Sequence, residues 1–331
     1  MKRILIAASL AFVMASGAAG AAEINPAVVF DMGGKFDKSF NEGIYNGIEK
    51  FRKETGISYR EFEVTNETQR EQALRRMAQR GSDPVIAVGF AQAPALEKVA
   101  REFPDTRFTI IDMVVDLPNV QSVVFKEHEG SFLVGVAAAM ASKTNKVGFI
   151  GGMDIPLIRK FACGYEQGVK YVNPDAEIFQ NMTGTTPAAW NNPTKGGELA
   201  RSQFDRGADV VYAAAGGTGI GVYQAAKDSG KLAIGVDSNQ NYLHPGTMLT
   251  SMLKRVDVAA YNTFKDALDN TWKPGIQVLG LAEDGVGWAL DEHNSSLVSA
   301  EMKRKVEQAR ADILANKITV HDYMADSTCV Y

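Results

Sequence analysis

The chain has 331 residues, of which 45% are apolar and 22% charged, with a net charge of -4. This length exceeds what one hydrophobic core usually holds, so we expect two domains of ordinary globular composition. The slightly acidic balance argues against binding to nucleic acid or to anionic membrane surfaces.

The first segment, "MKRILIAASLAFVMASGAAGAA", has the features of a secretory signal peptide. Two basic residues precede an apolar stretch that runs through Met14, and small residues then suit cleavage after Ala21. The apolar stretch is too short for a membrane anchor, and no cysteine stands at the cleavage site. We therefore predict that residues 1–21 are removed and that the protein is periplasmic, without a lipid anchor.

Short β-rich runs alternate with amphipathic helical stretches along the rest of the chain. The predicted strands are residues 27–32, 59–64, 84–90, 107–112, 120–125, 146–152, 176–182, 209–215, 232–237 and 247–254. One intervening helix, within residues 67–81, places Ala73, Leu74, Met77 and Ala78 on one face. Nearly continuous apolar strands that alternate with helices indicate parallel sheets covered on both faces.

The order of these elements predicts two doubly wound α/β lobes. One βαβ series occupies residues 27–125 and the other 146–237, while the later pieces "MLTSMLK" and "VLGLAED" are interpreted as crossings between lobes. The predicted boundaries are 24–126 plus 256–282 for lobe one and 127–255 plus 283–331 for lobe two. Several crossovers would form a hinge, with a cleft facing the carboxyl ends of both sheets.

Charged residues end several predicted strands, where ligands bind in open α/β sheets. Asp31, Asp112, Asp237 and Lys254 hold such positions. Any one of these aspartates could instead cap the next helix or accept backbone N–H groups in a turn. Their convergence on one edge favours a binding site.

The segment after the first strand brings an acid and an aromatic ring together. Ser39 and Glu42 form the pattern of a capping box, which places Phe40 in the first helical turn, off the apolar face. Two glycines before it permit a tight turn beside Asp31. Phe40 and Asp31 are therefore predicted to point into the same space, although Phe40 could also pack between the lobes.

The stretch "AAAGGTGIG" imitates a dinucleotide-binding loop. Gly217, Gly219 and Gly221 follow a predicted strand and open a helix, but their spacing is not G-x-G-x-x-G. We interpret the glycines as allowing close approach of the backbone to a small ligand, with N–H groups as donors at a helix start.

The residues give no positive sign of a cofactor, metal or catalytic site. Four scattered histidines lack metal-ligand spacing, and no motif of a hydrolase or nucleotide-binding loop occurs. We predict a binding protein and not an enzyme, although a pair of carboxylates leaves a nucleoside hydrolase open. Cys163 and Cys329, the only cysteines, either form one disulfide that ties the C-terminal tail to a helix or remain unpaired thiols.

The chain resembles the basic membrane protein family of ABC-transporter substrate-binding proteins, whose best-known type is a purine nucleoside receptor. The resemblance is carried by "VVFDMGGKFDKSFNEGIYNG", "FTIID", "EGSFLVGVAAAMAS", "GADVVYAAAGGTGIGVYQAA", "GVDSNQ" and "LTSMLKRVD". It implies a type I periplasmic-binding-protein fold and an importer of nucleosides. One departure is the missing acylation cysteine, since many members are lipoproteins.

The resemblance also implies roles for individual residues. Phe40 and Tyr212 would sandwich a purine, and Asp31, Asn41 and Asp112 would read its edge. The ribose hydroxyls would be held by Asp237, Lys254 and the backbone of Gly217. Further candidates are Ser39, Gly216 and Trp190, where Trp190 is either another cleft aromatic or an anchor for its own loop.

The implied partners are an uncharged nucleoside and a membrane permease, with the receptor acting as a monomer. A cleft with three aspartates against one lysine should repel phosphate. Three other functions stay open at this point: a ribose-type sugar receptor of the same fold, an exported nucleoside hydrolase, and a receptor that signals to a membrane chemoreceptor.

Overall fold

The computed structural model describes residues 24–330, so the predicted signal peptide lies outside the described residues. Within this range the chain folds into two six-stranded sheets covered by helices. None of the described helices is long and apolar enough to cross a membrane.

The first sheet carries the amino-terminal lobe. Its strands, in the order β2-β1-β3-β4-β5-β11, all run parallel. They are β1 Ala27–Phe30, β2 Arg60–Glu63, β3 Val85–Val88, β4 Phe108–Ile111, β5 Val120–Phe125 and β11 Gly275–Leu279. The helices between them are α1 Phe40–Thr55, α2 Gln69–Gln79 and α3 Ala93–Glu102, and the later α8 Val256–Leu268 packs on α1.

The second sheet repeats this order as β7-β6-β8-β9-β10-β12, with only β12 antiparallel to its neighbour. Its strands are β6 Lys146–Met153, β7 Glu177–Gly184, β8 Val210–Ala214, β9 Leu232–Asp237, β10 Met248–Lys254 and β12 Val286–Trp288. The helices of this lobe are α4 Glu127–Ala141, α5 Pro156–Val172, α6 Pro193–Asp205, α7 Gly219–Asp228, α9 Ala300–Leu314 and α10 Tyr323–Asp326.

Burial follows the predicted periodicities. Strands β1, β3, β4 and β8 are buried along their whole length, as expected of parallel strands with helices on both faces. The stripe predicted within residues 67–81 is the buried face of α2. All ten predicted strands are present, each within two residues at its ends. Two further strands were not among them: β12, and β11, which overlaps the strand-like piece "VLGLAED" only at Val278 and Leu279.

Three connections join the lobes. The piece "VLGLAED" contains most of one of them, whereas "MLTSMLK", also interpreted as a crossing, is strand β10 of the second sheet. The chain crosses at Lys126 between β5 and α4, at Arg255 between β10 and α8, and through residues 280–285 between β11 and β12. The two sheets show to which lobe each strand belongs. The exact residue limits of the lobes proposed from the sequence stay a prediction.

Helices α4 and α5 approach each other unusually closely. A Cβ atom on Gly168 would lie 2.0 Å from the Phe132 carbonyl oxygen, and one on Gly164 would lie 2.4 Å from that of His128. Only glycine fits at these two contacts. A disulfide between Cys163 and Cys329 ties the C-terminal segment to α5.

Candidate ligand-binding site

One cleft lies between the carboxyl ends of the two sheets. It has an empty volume of about 650 Å³, part of which opens to solvent, and this size suits a small-molecule ligand. The predicted residues that line it are Asp31, Phe40, Asn41, Asp112, Trp190, Gly216, Asp237 and Lys254. Ser39, Tyr212 and Gly217 do not line it.

The cleft follows the topology of both sheets. In each sheet the strand order reverses beside the first strand, between β1 and β3 and between β6 and β8. Asp31, Gly89 and Phe90 lie at the first of these points, while Ala214 and Gly216 follow β8 at the second. Such switch points open the crevice in which open α/β sheets bind ligands.

Asp112 and Asp237 hold equivalent positions, at the ends of β4 and β9. Both adopt a left-handed backbone conformation, with φ of 75° and 63°, which non-glycine residues rarely take. Burial raises the pKa of each carboxyl to about 6, although the nearby Lys254 ammonium opposes the rise. Each lobe therefore places at least one buried carboxylate at the cleft.

Lys254 lies between these carboxylates with a side chain only 2% exposed. Its Nζ is 2.7 Å from Asp112 Oδ2, and the Phe40 ring centroid is 5.2 Å away. Burial alone would lower the pKa of this ammonium, but the surrounding carboxylates hold its pKa above the usual range. Lys254 is therefore a fixed positive charge at the cleft.

The acid and the ring after β1 face the same space. A Cβ atom placed on Gly89 would lie 3.4 Å from Asp31 Oδ2 and 3.8 Å from Phe40 Cε1. Asp31 is also paired with Arg70, whose Nε lies 2.9 Å from its Oδ1. Burial raises the pKa of Asp31, with Arg70 opposing the shift. The sequence did not predict this arginine partner.

The predicted capping box is wrong. Ser39 makes no side-chain cap on α1, and Glu42 accepts the N–H of Lys38 instead of that of Ser39. The buried carboxylate of Asp37 caps the helix by accepting the N–H groups of Ser39, Asn41 and Glu42 at 2.8–3.1 Å. Burial raises the pKa of Asp37 to about 6 in spite of these bonds.

Ser39 instead links the two lobes. Its Oγ donates to Asp237 Oδ2 at 2.5 Å, and its carbonyl oxygen accepts from Ser238 Oγ at 3.0 Å. Asn41 lines the cleft, where its buried Oδ1 has no hydrogen-bond partner among the described residues. Asp112 Oδ1 is likewise buried without a partner there. Two acceptors are thus available to donors on a ligand.

Tyr212 does not form one side of a ring clamp. It is fully buried within β8, where its ring lies 5.3 Å from that of Tyr165 and 5.4 Å from that of Phe149 between centroids. Its hydroxyl lies 3.5 Å from Ser131 Oγ. Ala214 reaches the cleft because it is the last residue of β8, whereas Tyr212 lies two residues further inside the strand, with its side chain in the core.

Trp190 both lines the cleft and packs against its own lobe. A Cβ atom on Gly152 would lie 2.1 Å from the indole Cζ3, so the ring rests on the β6 backbone. Across the cleft, the Cβ position of Gly33 is 3.4 Å from Trp190 Cβ. Gly217 lies behind this residue, with its Cβ position 3.3 Å from the Trp190 carbonyl oxygen.

The sequence reasoning missed the apolar wall contributed by α5. Leu157, Ile158 and Phe161 line the cleft from the first turns of this helix. Phe161 has its ring centroid 5.4 Å from Lys254 Nζ, so it lies near the same ammonium as Phe40. The order of elements could have indicated them, because α5 starts just after β6 and its first turns therefore lie at the carboxyl edge of the second sheet.

Among residues 24–330, no group of three or more His, Cys, Asp and Glu side chains is arranged to hold a metal ion. The cleft instead combines aromatic faces, unpaired acceptors and one buried cation. This combination suits a ligand that has a flat ring together with hydroxyl or amino groups.

Comparisons with known proteins agree on one class, the substrate-binding proteins of ABC transporters. The sequence profile of one family, described as ABC transporter substrate-binding protein PnrA-like, matches residues 24–322. A Lactococcus lactis protein named ABC transporter nucleoside-binding protein BmpA is 33% identical, and the match covers 92% of each chain. A crystal structure of a solute-binding protein of an ABC transporter system from Aeropyrum pernix aligns with a TM-score of 0.83 and 29% identity, covering 90% of this chain and 93% of the other.

The comparisons overturn the expected localisation. A Pyrococcus abyssi relative, 36% identical over 82% of this chain and 70% of its own, is named an uncharacterized lipoprotein, and lipoproteins are held at a membrane by an acyl anchor. The expectation of a free periplasmic protein without a lipid anchor is therefore wrong. It rested on residues outside the described range, and a basic start with an apolar stretch is common to both kinds of exported precursor.

Proposed function

Because this chain belongs to the family of PnrA-like ABC transporter substrate-binding proteins, we propose that it captures an uncharged purine nucleoside for an ABC importer. Its fold is the type I periplasmic-binding-protein fold, with two doubly wound lobes and three crossovers. The observation that carries the proposal is one cleft in which aromatic rings stand beside buried carboxylates and an ammonium.

The aromatic part of the cleft suits a heterocyclic base. Phe40 comes from lobe one, and Phe161 and Trp190 come from lobe two. We propose that Phe40 stacks on the base and that the two lobe-two rings enclose it, in the place first assigned to Tyr212. Stacking of a base on an aromatic ring contributes roughly 1–3 kcal/mol.

The polar groups suit the edge of a base and a sugar. Asn41 and Asp112 each offer an unpartnered oxygen, which would accept N–H groups of the base together with Asp31. We assign the ribose hydroxyls to Asp237 and Lys254, since one carboxylate can accept from two neighbouring hydroxyls. Ser39, by donating to Asp237, would hold that carboxylate in place.

The charges of the cleft favour a ligand without phosphate. Its lining includes four aspartates, whereas Lys254 is the only cation in the lining. A phosphate placed there would meet a net negative potential at short range. A nucleoside is therefore the better fit than a nucleotide.

The proposed mechanism is capture by closure. Proteins of this family deliver a bound substrate to a membrane permease, so the partner of the closed form would be that permease. Closing two lobes around a ligand is a common hinge motion. We propose that the receptor acts as a monomer and binds its ligand without turnover.

Isothermal titration calorimetry with adenosine, guanosine, inosine, uridine and ribose tests the proposal. We expect a purine nucleoside to bind most tightly and ribose alone to bind weakly. Comparable affinity for ribose would favour a sugar receptor, and free base found by chromatography after long incubation would indicate a hydrolase. No binding to any nucleoside would refute the proposed function.

Replacing Phe40 by alanine tests the stacking contact. We expect the binding free energy to weaken by about 1–3 kcal/mol, because a base face loses its aromatic partner. Phe36→Ala is a matched control, since Phe36 is exposed in the same loop and does not line the cleft. Equal effects of the two substitutions would show that the Phe40 ring only packs.

A further inference from the structure

Behind the wall of the cleft lies a second buried ion pair, Glu127 with Lys160. Glu127 is 1% exposed and Lys160 is 9% exposed, and their charged atoms are 3.0 Å apart. Neither side chain lines the cleft. Burying two charges costs free energy, so this pair requires a reason beyond stability.

Glu127 contacts the cleft indirectly, through Lys254. Its Oε1 lies 3.0 Å from Lys254 Nζ, while its Oε2 faces Lys160. Lys160 is itself fixed, because its Nζ donates to the Phe125 carbonyl oxygen at 2.7 Å and lies 3.5 Å from Asp322 Oδ2. Five charges of alternating sign thus run from Asp112 at the cleft to the C-terminal segment.

The two carboxylates that hold Lys254 belong to different parts of the molecule. Asp112 follows β4 in the first sheet, whereas Lys254 ends β10 in the second. Glu127 begins α4, which packs against α5 and β10 of the second lobe. Separation of the lobes would take Asp112 away from the ammonium and leave Glu127 beside it.

Lys254 is surrounded by aromatic rings, so the carboxylate that stays beside it when the lobes separate matters for its direction. Its Nζ lies 5.1–5.4 Å from the ring centroids of Phe40, Phe125 and Phe161. These faces attract the charge but leave its direction open, since a ring face accepts a cation over a broad area. A carboxylate is needed to direct the ammonium.

We propose that Glu127, braced by Lys160, is a positioning residue that holds the Lys254 ammonium towards the sugar end of the cleft before the lobes close. This inference rests on the proposed function, because it takes the ribose hydroxyls as the ligand of Lys254. Glu127 thereby contributes to affinity and to the preference for ribose over deoxyribose without touching the ligand. Lys160 balances the charge of Glu127 and fixes its carboxylate.

The test compares adenosine with 2′-deoxyadenosine, or guanosine with its 2′-deoxy form if the wild-type protein prefers guanine. In Glu127→Gln we expect ribonucleoside affinity to fall about tenfold or more, because a charged hydrogen-bond partner of Lys254 is lost. The affinity for the deoxynucleoside should fall less, so the discrimination between the two sugars should narrow.

A double-mutant cycle separates positioning from general damage to the fold. In a Lys254→Gln background, Glu127→Gln should cause little further loss, because its route to the ligand is already absent. Glu166→Gln is the matched control, a partly buried glutamate of the same lobe that bonds Gln180 and lies outside the cleft. It should leave both affinities at their wild-type values.

Glu127→Asp covers the case in which the glutamine variant does not fold. It keeps the charge beside Lys160 but withdraws the carboxylate from Lys254 by one methylene, and it should also narrow the discrimination between sugars. Wild-type discrimination in the folded variants, or equal losses with both sugars, would overturn the inference. A wild-type protein that binds no nucleoside would refute the proposed function itself, and this inference with it.

Discussion

Asp112 and Asp237 are two residues of the cleft whose backbone conformation and burial cost folding free energy. Both have positive φ, a conformation that costs a non-glycine residue about 1 kcal/mol or more. Both are buried, and burial raises the pKa of each carboxyl to about 6. Buried acidic residues with a strained backbone and a perturbed pKa are typical of binding sites.

Asp237→Asn is expected to weaken nucleoside binding and to stabilise the unliganded protein at pH 7.5. The raised pKa means that the folded protein binds this proton more tightly than the unfolded chain, so stability falls as pH rises from about 4 towards 6. Asparagine removes this cost and tolerates the left-handed conformation. Thermal unfolding at pH 7.5 and at pH 5 measures the effect.

Asp237→Asn should have a higher midpoint of thermal unfolding than the wild-type protein at pH 7.5. This difference should shrink at pH 5, where the wild-type carboxyl is mostly protonated. Asp228→Asn, an exposed change at the end of α7, provides the matched control and should shift neither value. A lower midpoint for Asp237→Asn at pH 7.5 would contradict the prediction.

The start of α1 is the element on which much of the proposed base contact depends. Asp37 holds three backbone N–H groups there, and the helix presents Phe40 and Asn41 to the cleft from its first turn. The sequence favoured Ser39 and Glu42 as the cap, because their spacing matches the motif. The aspartate two residues earlier was better placed to accept these N–H groups.

Asp37→Ala is expected to lower the free energy of unfolding by about 1–2 kcal/mol, as the loss of a helix cap does, and to weaken nucleoside binding. The physical reason is that three N–H groups lose their acceptor in a buried place. Circular dichroism during thermal unfolding and calorimetry measure the two effects. Glu42→Ala, which the capping-box prediction would make the costly change, should cost less than Asp37→Ala, because it removes the acceptor of one backbone N–H group, that of Lys38. The reverse order would restore that prediction.

The molecule as a whole is held in a closed arrangement by contacts between its lobes. Asp112 with Lys254 and Ser39 with Asp237 join the lobes inside the cleft, and Gln240 donates to the Lys38 carbonyl oxygen beside it. Three of these six residues, Asp112, Asp237 and Lys254, line the cleft themselves. Ligand binding and closure therefore use the same side chains.

The C-terminal segment depends on one covalent link. The disulfide closes a loop with a sequence separation of 166 residues, and it holds the segment that contributes Asp322 against α5. Reduction is expected to lower the free energy of unfolding by roughly 2–4 kcal/mol, because the unfolded chain gains conformational freedom. Denaturant unfolding with and without dithiothreitol measures this change.

A variant with Cys163→Ser and Cys329→Ser is the control for the reductant. It should unfold like the reduced wild-type protein and should not respond to dithiothreitol. A wild-type transition that does not move on complete reduction would show that the link adds no stability.

Most of the fold followed from the sequence. Each predicted strand was recognised from a short β-rich run, and the alternation of strands with helices indicated the parallel arrangement. The edge of each sheet that binds ligands also followed, since all carboxyl ends of parallel strands lie on one side. The topology implied by the sequence therefore brings Asp31, Asp112, Asp237 and Lys254 to one cleft.

Tertiary structure alone decided which side chains meet. Ser39 and Asp237 are 198 positions apart in the chain, and no local pattern relates them. Tyr212 lies in the core and Phe161 at the cleft because the surroundings of a side chain depend on the packing of its whole element. Local periodicity determines strands and helices over a few residues, whereas contacts between lobes arise only when both sheets and their crossovers are assembled.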